Sequence, residues 1–283
     1  MEEMEIFRLD QGTLAVFREL LNDTLLESFG ERNIALGVIC GQGDEALPAA
    51  VLIATPRKEQ LILDWIYVRE ECRRKGIGKR LLTKLLSAAY NLPELEGIWT
   101  GYTYEYEGME NFLDHCGFYL WESDGAAQFT ARISDMSGVG EPAECKQARE
   151  LEQLSKKELN AFYEEIFKRL KEGKKLSIGV GFPIKAEDYM PESAALIKKE
   201  CIEALLLLKK AGLQINVAWV YSSGKDVAAL IKLFRHALYH LNSRYGPDTE
   251  LTMSSVNSKS LMLIRGLFPK AKEVPVMSGF FPF

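Results

Sequence analysis

The stretch Arg73-Arg74-Lys75-Gly76-Ile77-Gly78 constrains this chain most, because of what flanks it. Before it runs an apolar segment, Leu61 to Val68. After it, Lys79 to Tyr90 places Leu81, Leu82, Leu85, Leu86 and Ala89 on one face at i, i+3, i+4 spacing. The order is therefore strand, basic glycine turn, amphipathic helix. The first amides of a helix have no intrahelical acceptor and sit at the positive end of its dipole. Glycines let a ligand approach such a backbone closely, so the turn reads as a pyrophosphate cradle with three basic side chains just ahead of it. A capped surface turn is the plainer alternative, and the flanking strand and helix favour the phosphate. The turn has no G-K-[ST] ending and no G-x-G-x-x-G, which argues against P-loop and dinucleotide readings.

The pattern V-x-x-x-x-R-x-x-G-x-G from Val68 to Gly78 resembles the acyl-CoA-binding signature of the GCN5-related N-acetyltransferases. Downstream, Asn111-Phe112-Leu113-Asp114-His115-Cys116-Gly117-Phe118 is similar to that family's later helix-to-strand element. The resemblance covers about residues 1 to 135. It implies an α/β acetyltransferase fold and acetyl-CoA, or another acyl-CoA, as co-substrate. The amides of Ile66 and Val68 would pair with pantetheine. Those of Arg73, Arg74, Lys75, Gly76, Ile77, Gly78 and Lys79 would take the pyrophosphate.

Composition narrows the rest. A chain of 283 residues suggests two domains. The net charge of −5, with Lys and Arg dispersed, gives no support for a nucleic-acid partner. The acidic start Met1-Glu2-Glu3-Met4-Glu5 is unlike a signal peptide. No apolar run approaches the roughly 20 residues of a membrane span. Five cysteines, odd in number and without C-x-x-C, fit reduced thiols in a cytoplasm better than disulfides or a zinc site. Cys72, beside the basic turn, is placed where a thiol pKa can be lowered, and a residue without a functional role is its plainer reading.

Along the chain, strands are expected at Ile6 to Leu9, Ile34 to Cys40, Ala49 to Thr55, 61–68 and Ile98 to Tyr104. Phe118 to Glu122 and Gln128 to Ile133 read as two closing strands. Helices are expected at Thr13 to Phe29, 79–90 and Gly108 to Cys116. Composition changes over Ser134 to Pro142. This predicts a first domain over 1–135, a linker over 136–148 and a second domain over 149–283. The second opens with a helix, Lys156 to Lys171, announced by the capping box Ser155/Glu158. Strands at Ala194 to Lys198, Ile202 to Leu208, Gln214 to Tyr221, Glu250 to Val256 and Val274 to Phe281 follow, with helices at Lys225 to Arg244 and Ser258 to Leu267. This order repeats that of the first domain, so the second half looks like a degenerate acetyltransferase copy in tandem. Its turn, Tyr221-Ser222-Ser223-Gly224-Lys225-Asp226, places an aspartate where a phosphate would be repelled, and reads as non-binding.

Acyl transfer from a thioester to an amine needs a base, a polarised carbonyl and a proton for the departing thiolate. In the family a strand carboxylate commonly serves as base and a tyrosine on the later helix as acid. Counting back from Phe118, that tyrosine position holds Leu113. Substitutes are Tyr104 or Tyr102, which alternate with Tyr106 along one strand, and His115, whose ordinary pKa of about 6.5 suits proton transfer. Cross-strand aromatic packing and a surface histidine are the plain readings of these. Asp64, expected on the same strand face as Ile66 and Val68 amid apolar neighbours, is the candidate base, with a structural hydrogen bond as its alternative. Glu105 and Glu107 read as solvated. His236 and His240, at i, i+4, lack further ligands and read as helix-surface residues, so no metal is expected. Phe280-Phe281-Pro282-Phe283 reads as an apolar end docked on its own domain or on a dimer partner, with a lid over a ligand as the bolder alternative. The expected activity is N-acyl transfer to a small-molecule or peptide amine. The rival is a non-catalytic acyl-CoA-binding or regulatory module.

Overall fold

A computed structural model describes the chain except residues 1–4, 23–24, 27–28, 42–45, 91, 93, 105–107, 137–139, 173–182 and 224–226. Elements follow in the order β1 (Ile6–Leu9), α1 (Gln11–Leu14), β2 (Ile34–Cys40), β3 (Leu47–Arg57), β4 (Gln60–Val68), α2 (Ile77–Ala89), β5 (Gly97–Thr103), α3 (Met109–His115) and β6 (Tyr119–Arg132). Then come β7 (Ala148–Glu150), α4 (Lys156–Lys171), β8 (Ala194–Lys198), β9 (Cys201–Ala211), β10 (Gln214–Ser222), α5 (Val227–Tyr245), β11 (Glu250–Val256), α6 (Ser258–Leu267) and β12 (Lys272–Pro282). Among the described residues, no helix is long and apolar enough to cross a membrane.

Two compact units result: residues 1–122 with 276–283, and residues 123–275. This division differs from the expected 1–135, 136–148 and 149–283, and the reason is strand exchange. In the first unit the strand order is β1-β2-β3-β4-β5-β12, closed by the C-terminal strand lying antiparallel to β5 (Val276↔Thr103, Phe281↔Ile98). In the second it is β6-β11-β10-β9-β8-β7, so β6, encoded in the first half, pairs with β11 from Ala126↔Val256 to Arg132↔Glu250. Residues 123–135, assigned to the first domain from sequence, thus build the second unit. Of the expected linker, Ser137, Gly138 and Val139 lie outside the described residues.

Local chemistry explains where elements depart from expectation. Instead of one helix from Thr13 to Phe29, α1 passes into a 3-10 turn over Ala15–Leu20. The buried residues Leu14, Phe17 and Leu20 are spaced by three, the period of a 3-10 helix rather than an α-helix. The two expected closing strands are one continuous β6. It runs through because Gly125, at φ +69°, lets it pass against the backbone of Asn257 and Ser258 at the start of α6, where any Cβ would collide. The hinge between β8 and β9 is a tight turn with Lys199 and Glu200 both left-handed, at φ +51° and +63°. The Ser155/Glu158 capping box forms as its spacing predicts, with Glu158 also taking Arg149 at 2.9 Å.

In the first unit the sheet separates two cores. On one face Leu52, Leu61, Leu63 and Ile98 pack with Ile77, Leu81, Leu82 and Leu85 of α2 and Leu113 of α3. On the other, Val51 and Ile53 pack with Leu14, Phe17 and Leu20.

Candidate functional site

The site begins with a defect in β4. Its pairing with β3 runs Ile53↔Trp65 and then Ala54↔Leu63, leaving Asp64 without a partner: a β-bulge. Beyond the bulge the alternation of faces shifts by one. Leu61 and Leu63 belong to the α2-side core, and so do Ile66 and Val68, whereas Trp65 and Tyr67 pack on the opposite side. Asp64 therefore does not share a face with Ile66 and Val68, as strict alternation predicted. It faces the other side, where it accepts a hydrogen bond from Thr55 Oγ1 at 2.5 Å.

The bulge coincides with a fork in the sheet. Parallel pairing of β4 with β5 ends at Leu63↔Thr100, where the Thr100 hydroxyl donates to the Leu63 carbonyl at 3.0 Å. Among the described residues, 64–68 of β4 thus have one edge without a strand. The Arg69 amide donates to Ala49 of β3 at 2.8 Å, and successive residues of a strand direct their amides to alternate edges. The amides of Val68 and Ile66 accordingly point to the open edge, available to an extended amide-bearing ligand.

At the end of that edge stands the N-terminus of α2. Its N-cap is Gly76, at φ +76°, and no side chain caps the helix. The amides of Ile77, Gly78 and Lys79 are left to an external acceptor. A Cβ on Gly76 would meet nothing within 4 Å, so the backbone is open to a ligand on that side. Gly78 serves packing instead. A Cβ there would press on the Phe112 ring at 3.1 Å, so its absence lets α2 begin against α3. Arg74, Lys75 and Lys79 are exposed around the turn, and Arg74 is itself left-handed at φ +63°. Arg73 is already engaged. Its amide donates to Glu70 at 3.0 Å, its Nε to the Val68 carbonyl at 2.9 Å, and its guanidinium lies 5.6 Å from the Tyr67 ring centroid. It ties the turn to the end of β4 rather than offering an amide to a phosphate.

The opposite face holds a cavity of about 370 Å³ lined by Leu25, residues 29–33, Ile53, Thr55, Arg57 and Asp64. Asn33 Nδ2 donates to Thr55 Oγ1 at 2.8 Å, and the Thr55 hydroxyl donates in turn to Asp64. One carboxylate oxygen is thereby committed and the other is left to accept. Burial holds the Asp64 carboxyl above the ordinary carboxylate value; Thr55 and the positive charge of Arg57 pull it partway back.

The candidate acids separate cleanly. Tyr102 is buried at 7% exposure, and among the described residues its hydroxyl has no hydrogen-bond partner. Burial, with Glu110 and Tyr104 nearby, pushes its pKa up to about 12. Tyr104 does not share its face, because β5 stops at Thr103, and it is 51% exposed. Tyr106, Glu105 and Glu107 lie outside the described residues. His115 is exposed, with Nδ1 2.7 Å from the Asn111 carbonyl of its own helix. Leu113 is fully buried core. Cys72 is buried, and burial raises the thiol of Cys116. Among the described residues no group of His, Cys, Asp and Glu could hold a metal ion.

The second unit repeats this architecture with an alanine where the first has Asp64. β10 carries a bulge at Ala218 (Val217↔Leu208, then Trp219↔Leu207), and its parallel pairing with β11 spans only Ile215↔Leu251 and Asn216↔Thr252. Aligning the bulges sets Gln60-Leu-Ile-Leu-Asp-Trp-Ile-Tyr-Val68 on Gln214-Ile-Asn-Val-Ala-Trp-Val-Tyr-Ser222. Gln, Trp and Tyr coincide, and Ala218 replaces Asp64. This nine-residue self-match is a sequence signal of duplication that element order alone does not use. Arg169 of α4 lies 5.4 Å from the Tyr221 ring centroid and donates to the carbonyls of Ser222 and Ser223, the position Arg73 occupies in the first unit. Gly224, Lys225 and Asp226 lie outside the described residues.

Residues 6–118 match the model of the acetyltransferase (GNAT) family. No curated protein matches the sequence. Among solved structures, a tandem GNAT protein from the clavulanic acid biosynthesis pathway superposes with a TM-score of 0.65 at 11% identity, covering 98% of each chain. A GCN5-related N-acetyltransferase from Sphaerobacter thermophilus gives 0.62 at 14% identity, over 98% of this chain and 95% of the other. At such identities the likeness concerns the fold, and it extends over both units.

Proposed function

We propose, from the match of residues 6–118 to the GNAT acetyltransferase family and the tandem GNAT fold of the whole chain, that the protein moves an acetyl group from CoA to an amine, using the first unit alone. The observation that carries the proposal is the conjunction of an open β4 edge with an uncapped helix N-terminus at its end. An extended pantetheine arm can pair with the first while its pyrophosphate meets the second. Bound acyl-CoA supplies an activated thioester carbonyl. The amides of Ile77, Gly78 and Lys79 bind phosphate, and those of Ile66 and Val68 hold the arm along the fork. Asp64, at the apex of the fork, takes the proton from the incoming amine. Its raised pKa makes it a better base than an ordinary surface carboxylate. The Tyr102 hydroxyl, without a partner among the described residues, donates a hydrogen bond to the oxygen or sulfur of the reacting thioester. With a pKa of about 12 it stabilises developing negative charge more readily than it surrenders a proton.

Asp64→Asn tests this reading. Asparagine keeps an acceptor for Thr55 but cannot take a proton, so kcat should fall by roughly 10²-fold or more, the usual weight of a general base. Acetyl-CoA affinity by calorimetry should remain. In the wild type the base form is the active one, so kcat/KM should fall as pH drops through the Asp64 pKa, which burial holds above its ordinary value. Loss of that acid limb in Asp64→Asn supports the assignment. An unchanged rate and profile would remove Asp64 from the chemistry, and absence of any acetyl-CoA binding by the wild type would favour a protein without this co-substrate.

A further inference from the structure

The cavity in front of Asp64 combines three kinds of surface. Leu25, Phe29 and Ile53 supply an apolar wall. Asp64 supplies a carboxylate at the point where the sheet forks. Arg32 and Arg57 bring two guanidinium groups, with Glu31 as the other acid of the lining. Among the described residues neither arginine has an ion-pair partner. Arg57 is near enough to Asp64 to lower its pKa, yet the two form no salt bridge. An anion and a cation held close but unpaired fit a ligand carrying the complementary charges on adjacent groups. The size agrees: about 370 Å³ is at the small end of the roughly 300–1,000 Å³ typical of small-molecule sites.

We propose that the acceptor is a free α-amino acid, or a close analogue, with an aliphatic side chain. Its amino group faces Asp64, its carboxylate faces Arg57 with Arg32 behind, and its side chain lies on Leu25, Phe29 and Ile53. This rests on the acyl-transfer reading above and names its substrate class. A guanidinium fork matches a carboxylate bidentately, so the carboxylate fixes the direction in which the amine points. The ammonium gives one proton to Asp64. Its nitrogen forms the new bond to the thioester carbon, the C–S bond breaks, and the thiolate takes a proton as the amide loses its second, with one proton released to solvent overall.

Three amines of matched shape decide the matter: L-leucine, L-leucinamide and isoamylamine, each with acetyl-CoA and free CoA thiol as the readout. L-leucine should give a kcat/KM at least roughly tenfold above both others, the value of about one charge-assisted contact. In Arg57→Gln the leucine-to-leucinamide ratio should collapse toward one, with calorimetric acetyl-CoA affinity as the folding control. Equal rates for all three amines, or preference for isoamylamine, overturns the proposal whatever the variant does. So does tight acetyl-CoA binding by an enzyme that acetylates none of the three. Failure of acetyl-CoA to bind at all would instead strike the acyl-transfer reading, and calorimetric titration of L-leucine into the wild type then reports on the cavity separately: no heat overturns the amino-acid assignment too.

Discussion

Among the described residues the Tyr102 hydroxyl is a buried polar group without a partner, and such a group costs about 1–3 kcal/mol of folding stability. A cost of that size, placed beside the fork of the sheet, is what a donor waiting for a ligand would show. Tyr102→Phe separates function from structure because the two roles predict opposite signs. Removing the hydroxyl should leave stability unchanged or raise it by about 1 kcal/mol, since the ring stays packed with Met277 and Leu113. The same change should lower kcat by roughly tenfold or more if the hydroxyl contacts the reacting thioester. Thermal denaturation and steady-state kinetics on one preparation give both numbers. A variant that loses stability and keeps its rate would make Tyr102 a packing residue. Asp64 obeys a related logic. Its carboxyl pKa is raised on folding, so the folded state binds its proton more tightly than the unfolded one. Stability therefore falls as pH rises from the ordinary carboxylate value through the raised one, and the carboxylate is a cost at neutral pH. The sequence named both residues but could not rank them. Tyr102 and Tyr104 are equivalent by alternation until one knows that β5 ends between them, and Asp64 changes face only because of a bulge that no local pattern announces.

The strand–turn–helix around Gly76 was the most legible element, since every part of it is local. Helix period, glycines and basic residues lie within thirty consecutive positions. Its finer division of labour was not legible, because Arg73 has its amide in one turn and its side chain on the Val68 carbonyl. A substitution in the turn tests the cradle. Gly76 sits at φ +76°, a conformation that costs an L-residue about 1–2 kcal/mol, more for a β-branched one. Its Cβ would meet no protein atom, so nothing but backbone strain and a bound ligand opposes it. Gly76→Asn, which tolerates the left-handed region, then serves as the control for strain. Gly76→Val should weaken acetyl-CoA binding by more than tenfold, about 1.4 kcal/mol, and should do so beyond its effect on melting temperature, with Gly76→Asn affected less. Equal acetyl-CoA affinities for Gly76→Val and wild type would place the pyrophosphate elsewhere.

At the scale of the molecule, the duplication was legible in element order and the exchange of strands was not, because pairing partners more than a hundred residues apart leave no local trace. β12 carries Met277 and Phe281 into the first unit, where Met277 is 4% exposed and the Phe281 ring lies 5.6 Å from that of Phe118. Gly97 permits the approach, since a Cβ there would strike the carbonyl oxygen of Phe281. The last residue is also held, its amide donating to the Glu96 carbonyl at 3.1 Å. Fully burying Met277 contributes about 1.5–3 kcal/mol, and the partly buried Phe281 adds to it. That is a large share of the entire stability of a domain, about 5–15 kcal/mol. A fragment of residues 1–135, the unit that sequence composition marks out, lacks β12 and leaves β5 with a bare edge. It should not unfold cooperatively and should aggregate, as unpaired apolar edges do. Joining residues 272–283 to residues 1–122 through a flexible linker should restore a cooperative transition and acetyl-CoA binding by calorimetry, with one site per chain as in the intact protein. One site per chain is the expectation because the turn sequence of the second unit carries Asp226, whose charge would repel a phosphate, while Ala218 in place of Asp64 removes the base. A folded, CoA-binding 1–135 fragment would show that β12 is dispensable. A second acetyl-CoA site in the full chain would show that the repeated fork still works.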